Sequence, residues 1–65
     1  MTSVIPIHAD LVEKGQTIWA PDDGDWLKVA KIGKGLGDYS RVFYRVDGSE
    51  AEFDVDQIVL VQVLP

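Results

Sequence analysis

The residues of this 65-residue chain that could contact phosphate are a glycine-rich loop and three lysines. The loop, Gly33-Lys34-Gly35-Leu36-Gly37, could offer amides to an anion. It lacks the Gly-Lys-Ser/Thr ending of a phosphate-binding loop, however, and a strand follows it. Lys28, Lys31 and Lys34, together with Trp26, could form a basic and aromatic patch for single-stranded nucleic acid. The plainer interpretation is a flexible loop beside solvated strand lysines.

Acidic residues cluster in one short segment, at Asp22, Asp23 and Asp25. An EF-hand loop needs a glutamate at its twelfth position, and counting from Asp22 reaches Gly33, so we predict an acidic turn. His8 is the single histidine and there is no cysteine, which excludes a His/Cys metal cluster and a disulfide. A Ser-His-acid triad would have to use His8 near the N-terminus. We therefore expect no catalytic residue, no metal and no cofactor.

The charge balance is acidic, with six Lys and Arg against eleven Asp and Glu and a formal net charge of -5. Phosphate contacts dominate nucleic-acid affinity, so this sign disfavours nucleic acid as the partner. It suits a protein partner with a basic surface, or simply a solvated surface. An acidic DNA mimic, of the kind a small phage or plasmid regulator would use, remains an alternative.

Length and hydropathy indicate one small domain, residues 1–65. There is no run of eighteen apolar residues, and the segment Met1–Pro6 lacks the positive region and long apolar stretch of a signal peptide. We expect a cytoplasmic protein without a membrane partner. Residues 1–14 form an N-terminal extension or edge segment, because Pro6 removes a hydrogen-bond donor from any sheet ladder.

The rest of the chain predicts five strands, separated by turn residues. They are residues 16–20, 26–32, 39–46, 49–54 and 58–64. The second strand mixes apolar residues on both faces, which indicates a bulge. A short 3₁₀ turn is expected at Asp54–Gln57, before the last strand.

Asp47-Gly48 predicts a two-residue type I′ turn between the predicted strands 39–46 and 49–54. That turn places Val46 opposite Ser49 and Phe43 opposite Glu52. The predicted core face is Val42, Tyr44, Val46, Ala51 and Phe53. Phe43 then lies outside, and the pairs Arg45–Glu50 and Arg41–Asp54 become cross-strand ion pairs.

The last strand is apolar on both faces, with Val59, Val61 and Val63 on one face and Ile58 and Leu60 on the other. Antiparallel strands with one wet face normally alternate. Either the N-terminal segment covers the valines, or another chain does, and a homo-oligomer could form through this strand.

This order of strands and turns resembles an SH3-like barrel, and its residues resemble the Tudor branch. The resemblance covers roughly residues 15–61. It rests on Ile18-Trp19, Asp23-Gly24, Val29-Ala30-Lys31-Ile32, Val42-Phe43-Tyr44, Asp47-Gly48 and Asp56-Gln57-Ile58. Tudor domains often hold methylated Lys or Arg in an aromatic cage. The resemblance places Trp19 and Tyr44 at cage positions, with Lys28 or Trp26 at a third and Asp47, which is not aromatic, at a fourth.

Taken together, these features predict an all-β, five-stranded SH3-like domain that is not an enzyme and binds a protein partner. The contact residues we expect are Trp19, Trp26 and Phe43, with Asp22, Asp23 and Asp25 beside them. The alternatives are nucleic-acid binding through Lys28, Lys31 and Lys34, and the acidic DNA mimic.

Overall fold

The computed structural model describes residues 3–63 and confirms the all-β class. Its strands are β1 (Ser3–His8), β2 (Thr17–Ala20), β3 (Asp25–Lys28), β4 (Lys31–Lys34), β5 (Ser40–Tyr44), β6 (Glu50–Asp54) and β7 (Ile58–Val63). The prediction of five strands is therefore wrong. The N-terminal segment forms a strand of its own, and the single strand predicted over 26–32 is two strands. Leu64, predicted at the end of the last strand, lies outside the described residues.

The strands form two antiparallel sheets. The first sheet has the order β1-β7-β2-β3 and the second has the order β4-β5-β6. Residues 3–63 contain no helix with the length and apolar character needed to span a bilayer.

The chain passes from the first sheet to the second at Val29 and Ala30. The Val29 amide donates to the carbonyl of Gln16, which leads into β2, at 2.8 Å. The next amide, that of Ala30, donates to the carbonyl of Tyr44 in β5, also at 2.8 Å. Apolar residues on both faces of segment 26–32 thus reflect a strand that changes sheets, because each half turns a different face to the core.

The core lies between the two sheets. Its fully buried large side chains are Ile18, Leu27, Val29, Phe43, Val59 and Val61. The rings of Phe43 and Phe53 are 5.8 Å apart, centroid to centroid. Removing each such side chain from water contributes about 1.5–3 kcal/mol, which a chain this short needs because it has no disulfide.

The β5–β6 hairpin has a three-residue loop rather than the predicted two-residue turn. The Gly48 amide donates to the Arg45 carbonyl at 3.1 Å, and the Arg45 amide donates to the Ser49 carbonyl at 2.8 Å. Gly48 has a φ of 91°, whereas no non-glycine residue in segment 3–63 has a positive φ. Asp47 therefore does not adopt the left-handed conformation that a type I′ turn requires, and the loop is a type I turn closed by a left-handed glycine.

The extra loop residue shifts the register by one. Phe43 pairs with Ala51, and Tyr44 pairs with Glu50. β6 still points Phe53 inward, and Val42 is buried as predicted. Phe43, predicted outside, is fully buried, and Val46, predicted in the core, is 93% exposed. The predictions that Phe43 lies on the outside and that Tyr44 lies in the core are wrong.

The two ion pairs predicted across this hairpin do not form. Arg45 pairs with Asp23, at 3.2 Å between Nη1 and Oδ2. Arg41 donates instead to the backbone carbonyls of Asp38 and Ser40. The reason is again the register, which places Glu50 opposite Tyr44 and Asp54 opposite Ser40.

The 3₁₀ segment lies at Ala9–Leu11, not before the last strand. Residues 54–57 form a β-turn closed by one hydrogen bond, from the Gln57 amide to the Asp54 carbonyl at 3.0 Å. The Ala9 amide donates to the Gln57 carbonyl at 2.9 Å, and Ala9 is buried. This contact joins the end of β1 to the turn that precedes β7.

β1 lies at the edge of the first sheet and pairs with β7, with Pro6 opposite Leu60. It extends the sheet instead of lying across the valines, because Val59 and Val61 already pack into the core between the sheets. β7 lies between β1 and β2 and is an inner strand of the first sheet.

Candidate protein-docking face

The solvent-facing side of the first sheet follows from the alternation of its strands. Ile18, Leu27, Val59 and Val61 point into the core, so their neighbours along each strand point outward. We call this side the outer face. Its ten residues are Val4, Pro6, His8, Thr17, Trp19, Trp26, Lys28, Ile58, Leu60 and Gln62.

An apolar row crosses the middle of the outer face. Pro6 pairs with Leu60, and Trp19 pairs with Trp26. β2 pairs with β7 at Thr17–Gln62 and Ile18–Val61, and Trp19 and Leu60 are the next residues along these two antiparallel strands. The two indole rings meet edge to face, with centroids 5.3 Å apart and planes 68° apart. This geometry is the favourable one for an aromatic pair, so it fixes both rings in place.

The outer face combines apolar exposure with the absence of acids. Val4, Ile58 and Leu60 are 47%, 52% and 43% exposed, and both tryptophans are half-buried. None of the ten outward residues is acidic, although the chain has eleven acids. A contiguous exposed apolar patch on a charged protein is typical of a protein interaction site.

The three predicted aspartates lie at one end of this face: Asp22 and Asp23 are in the turn between β2 and β3, and Asp25 is the first residue of β3, paired with Ala20. Asp23 is held by Arg45, and Asp25 Oδ1 accepts a hydrogen bond from the Trp26 amide at 2.8 Å. Trp19, Trp26 and the aspartates are thus neighbours. Phe43 does not join them, because its ring is in the core and has no exposed surface.

The aromatic residues of the Tudor-like resemblance are divided between the sheets. Trp19 belongs to the first sheet, whereas Tyr44 lies on the outward side of the second. The Tyr44 ring packs over Gly33, and the ammonium nitrogen of Lys31 is 5.6 Å from its centroid. Tyr44 therefore already holds a cation of its own chain.

The three lysines of the nucleic-acid alternative do not form one stripe. Lys28 lies on the outer face, while Lys31 is held over Tyr44 in the second sheet. Lys34 pairs with Asp38 at 3.2 Å, and both side chains are exposed.

In the glycine-rich loop, the Leu36 amide donates to Glu52 Oε2 at 3.3 Å, and the Gly35 amide donates to the Ser40 carbonyl at 3.1 Å. The loop thus holds a carboxylate of its own chain.

A shallow acidic groove lies between the β2–β3 turn and β6. Its volume is about 270 Å³, and Asp22, Asp23, Glu50 and Glu52 line it. Small-molecule sites usually measure about 300–1,000 Å³ and are mostly apolar. Within residues 3–63, no group of three or more His, Cys, Asp or Glu side chains is arranged to hold a metal ion.

Sequence reasoning missed Pro6, Ile58 and Leu60 as members of the exposed surface. It pointed instead to Val59, Val61 and Val63, of which the first two are buried. Both faces of β7 are largely apolar, which obscured the outward one. The available signal was Gln62, the one polar residue of β7, which alternates with Ile58 and Leu60 and marks their side as the outward one.

No protein-family model, curated protein or solved structure matches the chain.

Proposed function

We propose that this domain is a non-enzymatic protein-binding module that docks its partner on the outer face. The observation that carries the proposal is the apolar row Pro6, Leu60, Trp19 and Trp26, which crosses four strands without an acidic residue. Tryptophan is enriched among the residues that dominate binding energy. Trp19 and Trp26 form the centre of the contact, and Asp22 and Asp25 lie at its rim.

We further propose that the two sheets form an SH3-like barrel of the Tudor-like type. Support comes from the passage of the chain between sheets at Val29 and Ala30, since small barrels and orthogonal sandwiches make their corners with strands that switch sheets. Short turns between most strands fit the same architecture.

The test is affinity capture with the tagged domain from cells of its source, in the presence of nuclease. Trp26→Ala should lose the captured protein and retain the β-sheet circular dichroism spectrum, because Trp26 is a half-buried side chain outside the core. Tyr39→Ala is the matched control, since Tyr39 is an aromatic residue 80% exposed, outside the outer face. Equal capture of the partner by the unmodified domain, Trp26→Ala and Tyr39→Ala would refute the proposed docking face.

The same experiment addresses the alternatives. Proteins lost on nuclease treatment, or a steep salt dependence of oligonucleotide affinity, would favour the lysine patch at Lys28, Lys31 and Lys34. Loss of capture on neutralising Asp22, Asp23 and Asp25, with Trp26→Ala still active, would favour the DNA mimic.

A further inference from the structure

The outer face has two chemically different ends. β1 and β7 meet at His8 opposite Ile58, and β2 and β3 meet at Ala20 opposite Asp25. The loops at this end carry Asp10, Asp22, Asp23 and Asp56. The opposite end of the face carries Lys28. The outer face is thus an apolar strip with acidic residues at one end and a lysine at the other end.

Most of these acids are free to meet a cation from outside. Within residues 3–63, the ion pairs are Arg45–Asp23 and Lys34–Asp38. Asp10, Asp22 and Asp56 are exposed and belong to neither pair. Charge complementarity therefore calls for Lys or Arg on the occupant at this end.

The occupant does not extend the first sheet at either of its edge strands, β3 or β1. At β3, the Trp26 amide already donates to Asp25 Oδ1 and the Trp26 carbonyl accepts from Arg45 Nη2. At β1, Pro6 closes the free edge. The Ala9 amide bonds to the Gln57 carbonyl. Backbone bonds alternate along an antiparallel pair, so odd-numbered residues of β1 face β7 and Pro6 faces away. Proline has no N–H, so the centre of the free edge lacks a donor and resists pairing with another strand. The occupant lies across the face.

The size of the face favours a short segment. With strands about 4.8 Å apart and outward side chains about 6.8 Å apart along each strand, the ten residues of the outer face cover about 330 Å². A standard protein interface buries about 800 Å² on each partner. A second copy of a chain with net charge -5 would also bring further carboxylates toward the acidic end.

We propose that the outer face binds a short segment of a protein partner, apolar along its contact side and with Lys or Arg at the end that lies over Asp10, Asp22 and Asp56. This inference rests on the proposed function and adds the chemistry and direction of the partner. The apolar side chains lie on Trp19 and Leu60, and the cations reach the aspartates beyond Trp26.

The probes are two synthetic peptides that alternate leucine and serine, one ending in a run of lysines and the other in glutamates. Binding is followed by amide and indole chemical shifts of the labelled domain. The lysine peptide should bind, shift Trp19, Trp26 and Leu60, and weaken as salt is raised. The glutamate peptide should bind far more weakly.

Two triple variants separate local from overall charge. Asp10→Asn/Asp22→Asn/Asp56→Asn should lower the affinity for the lysine peptide about tenfold, because rim ion pairs each contribute modestly. Glu13→Gln/Asp38→Asn/Glu50→Gln removes three negative charges at other positions and should leave the affinity for the lysine peptide nearly unchanged. Equal loss in both triples, or equal binding of both peptides, overturns the inference.

Other occupants give distinct results. Concentration-dependent shifts of Trp19 and Leu60 in the domain alone would show that a second copy covers the face. Shifts of these residues on vesicles, but not on peptides, would indicate a membrane. Either result overturns the inference. The proposed function is refuted by a different result: Trp26→Ala captures the natural partner as well as the unmodified domain does.

Discussion

The hydroxyl of Ser40 donates a hydrogen bond to Glu52 Oε2 at 2.7 Å. The same carboxylate oxygen accepts the Leu36 amide, so Glu52 joins β5, β6 and the glycine-rich loop. A Cβ on Gly35 would collide with both Ser40 Oγ and Glu52 Oε2. Glycine is required there because the two oxygen atoms occupy the space of a side chain.

Gly35→Ala should destabilise the domain by about 1–3 kcal/mol, the usual cost of an added atom that has no room. Adding Glu52→Ala should recover part of this cost, since it removes one of the two colliding groups. The measurement is a double-mutant cycle by urea denaturation. Glu50→Ala, on the same strand, is the control and should show no coupling with Gly35→Ala.

Phe43→Ala should cost about 3–5 kcal/mol and leave little folded protein, because Phe43 is a fully buried ring. Val46→Ala should change the stability by less than about 0.5 kcal/mol, as exposed substitutions do. The predicted two-residue turn implies the opposite order. Thermal unfolding of the two variants therefore tests the register, and a larger loss for Val46→Ala would contradict the observed pairing.

The two ion pairs should differ in their effect on stability. Arg45 is the more buried: it donates to Asp23, to Ser49 Oγ and to the Trp26 carbonyl. Arg45→Ala should cost about 1–2 kcal/mol. Lys34→Ala should cost less than about 0.5 kcal/mol, because the Lys34–Asp38 pair is exposed. Similar losses in chemical denaturation would argue against the linking role of Arg45.

Asp47 should contribute to the acid sensitivity of the domain. Hydrogen bonds from the Ser49 amide and hydroxyl hold the pKa of the Asp47 carboxyl below its ordinary value. A lowered folded-state pKa means that its stabilising contribution is present above the unfolded-state value of about 3.9 and is lost as the pH falls through the folded-state value.

Asp47→Asn should therefore make the unfolding free energy less dependent on pH below about 5. The measurement is urea denaturation across the acidic range. Asp22→Asn is the control, since Asp22 is also an exposed loop aspartate and belongs to neither ion pair found within residues 3–63. An unchanged pH dependence in Asp47→Asn would rule out this contribution.

The sequence by itself determined the all-β class, because its β-branched and aromatic runs are separated by Gly, Pro and Asp. Pro6 indicated an edge position for the N-terminal segment, which β1 occupies. Trp19 and Trp26 stood out as candidate contact residues by type alone. These features are local, since they depend on the backbone preferences of single residues and their neighbours.

Only the tertiary structure decided which faces are buried. The conformation of Asp47 set the loop length and so turned Phe43 inward, and both turn types suit the same Asp-Gly pair. β7 is largely apolar on both faces, and its position between β1 and β2 selects Val59 and Val61 for the core and leaves Leu60 outside. The outer face brings together residues from both ends of the chain, because pairing across the first sheet, rather than sequence spacing, makes them neighbours.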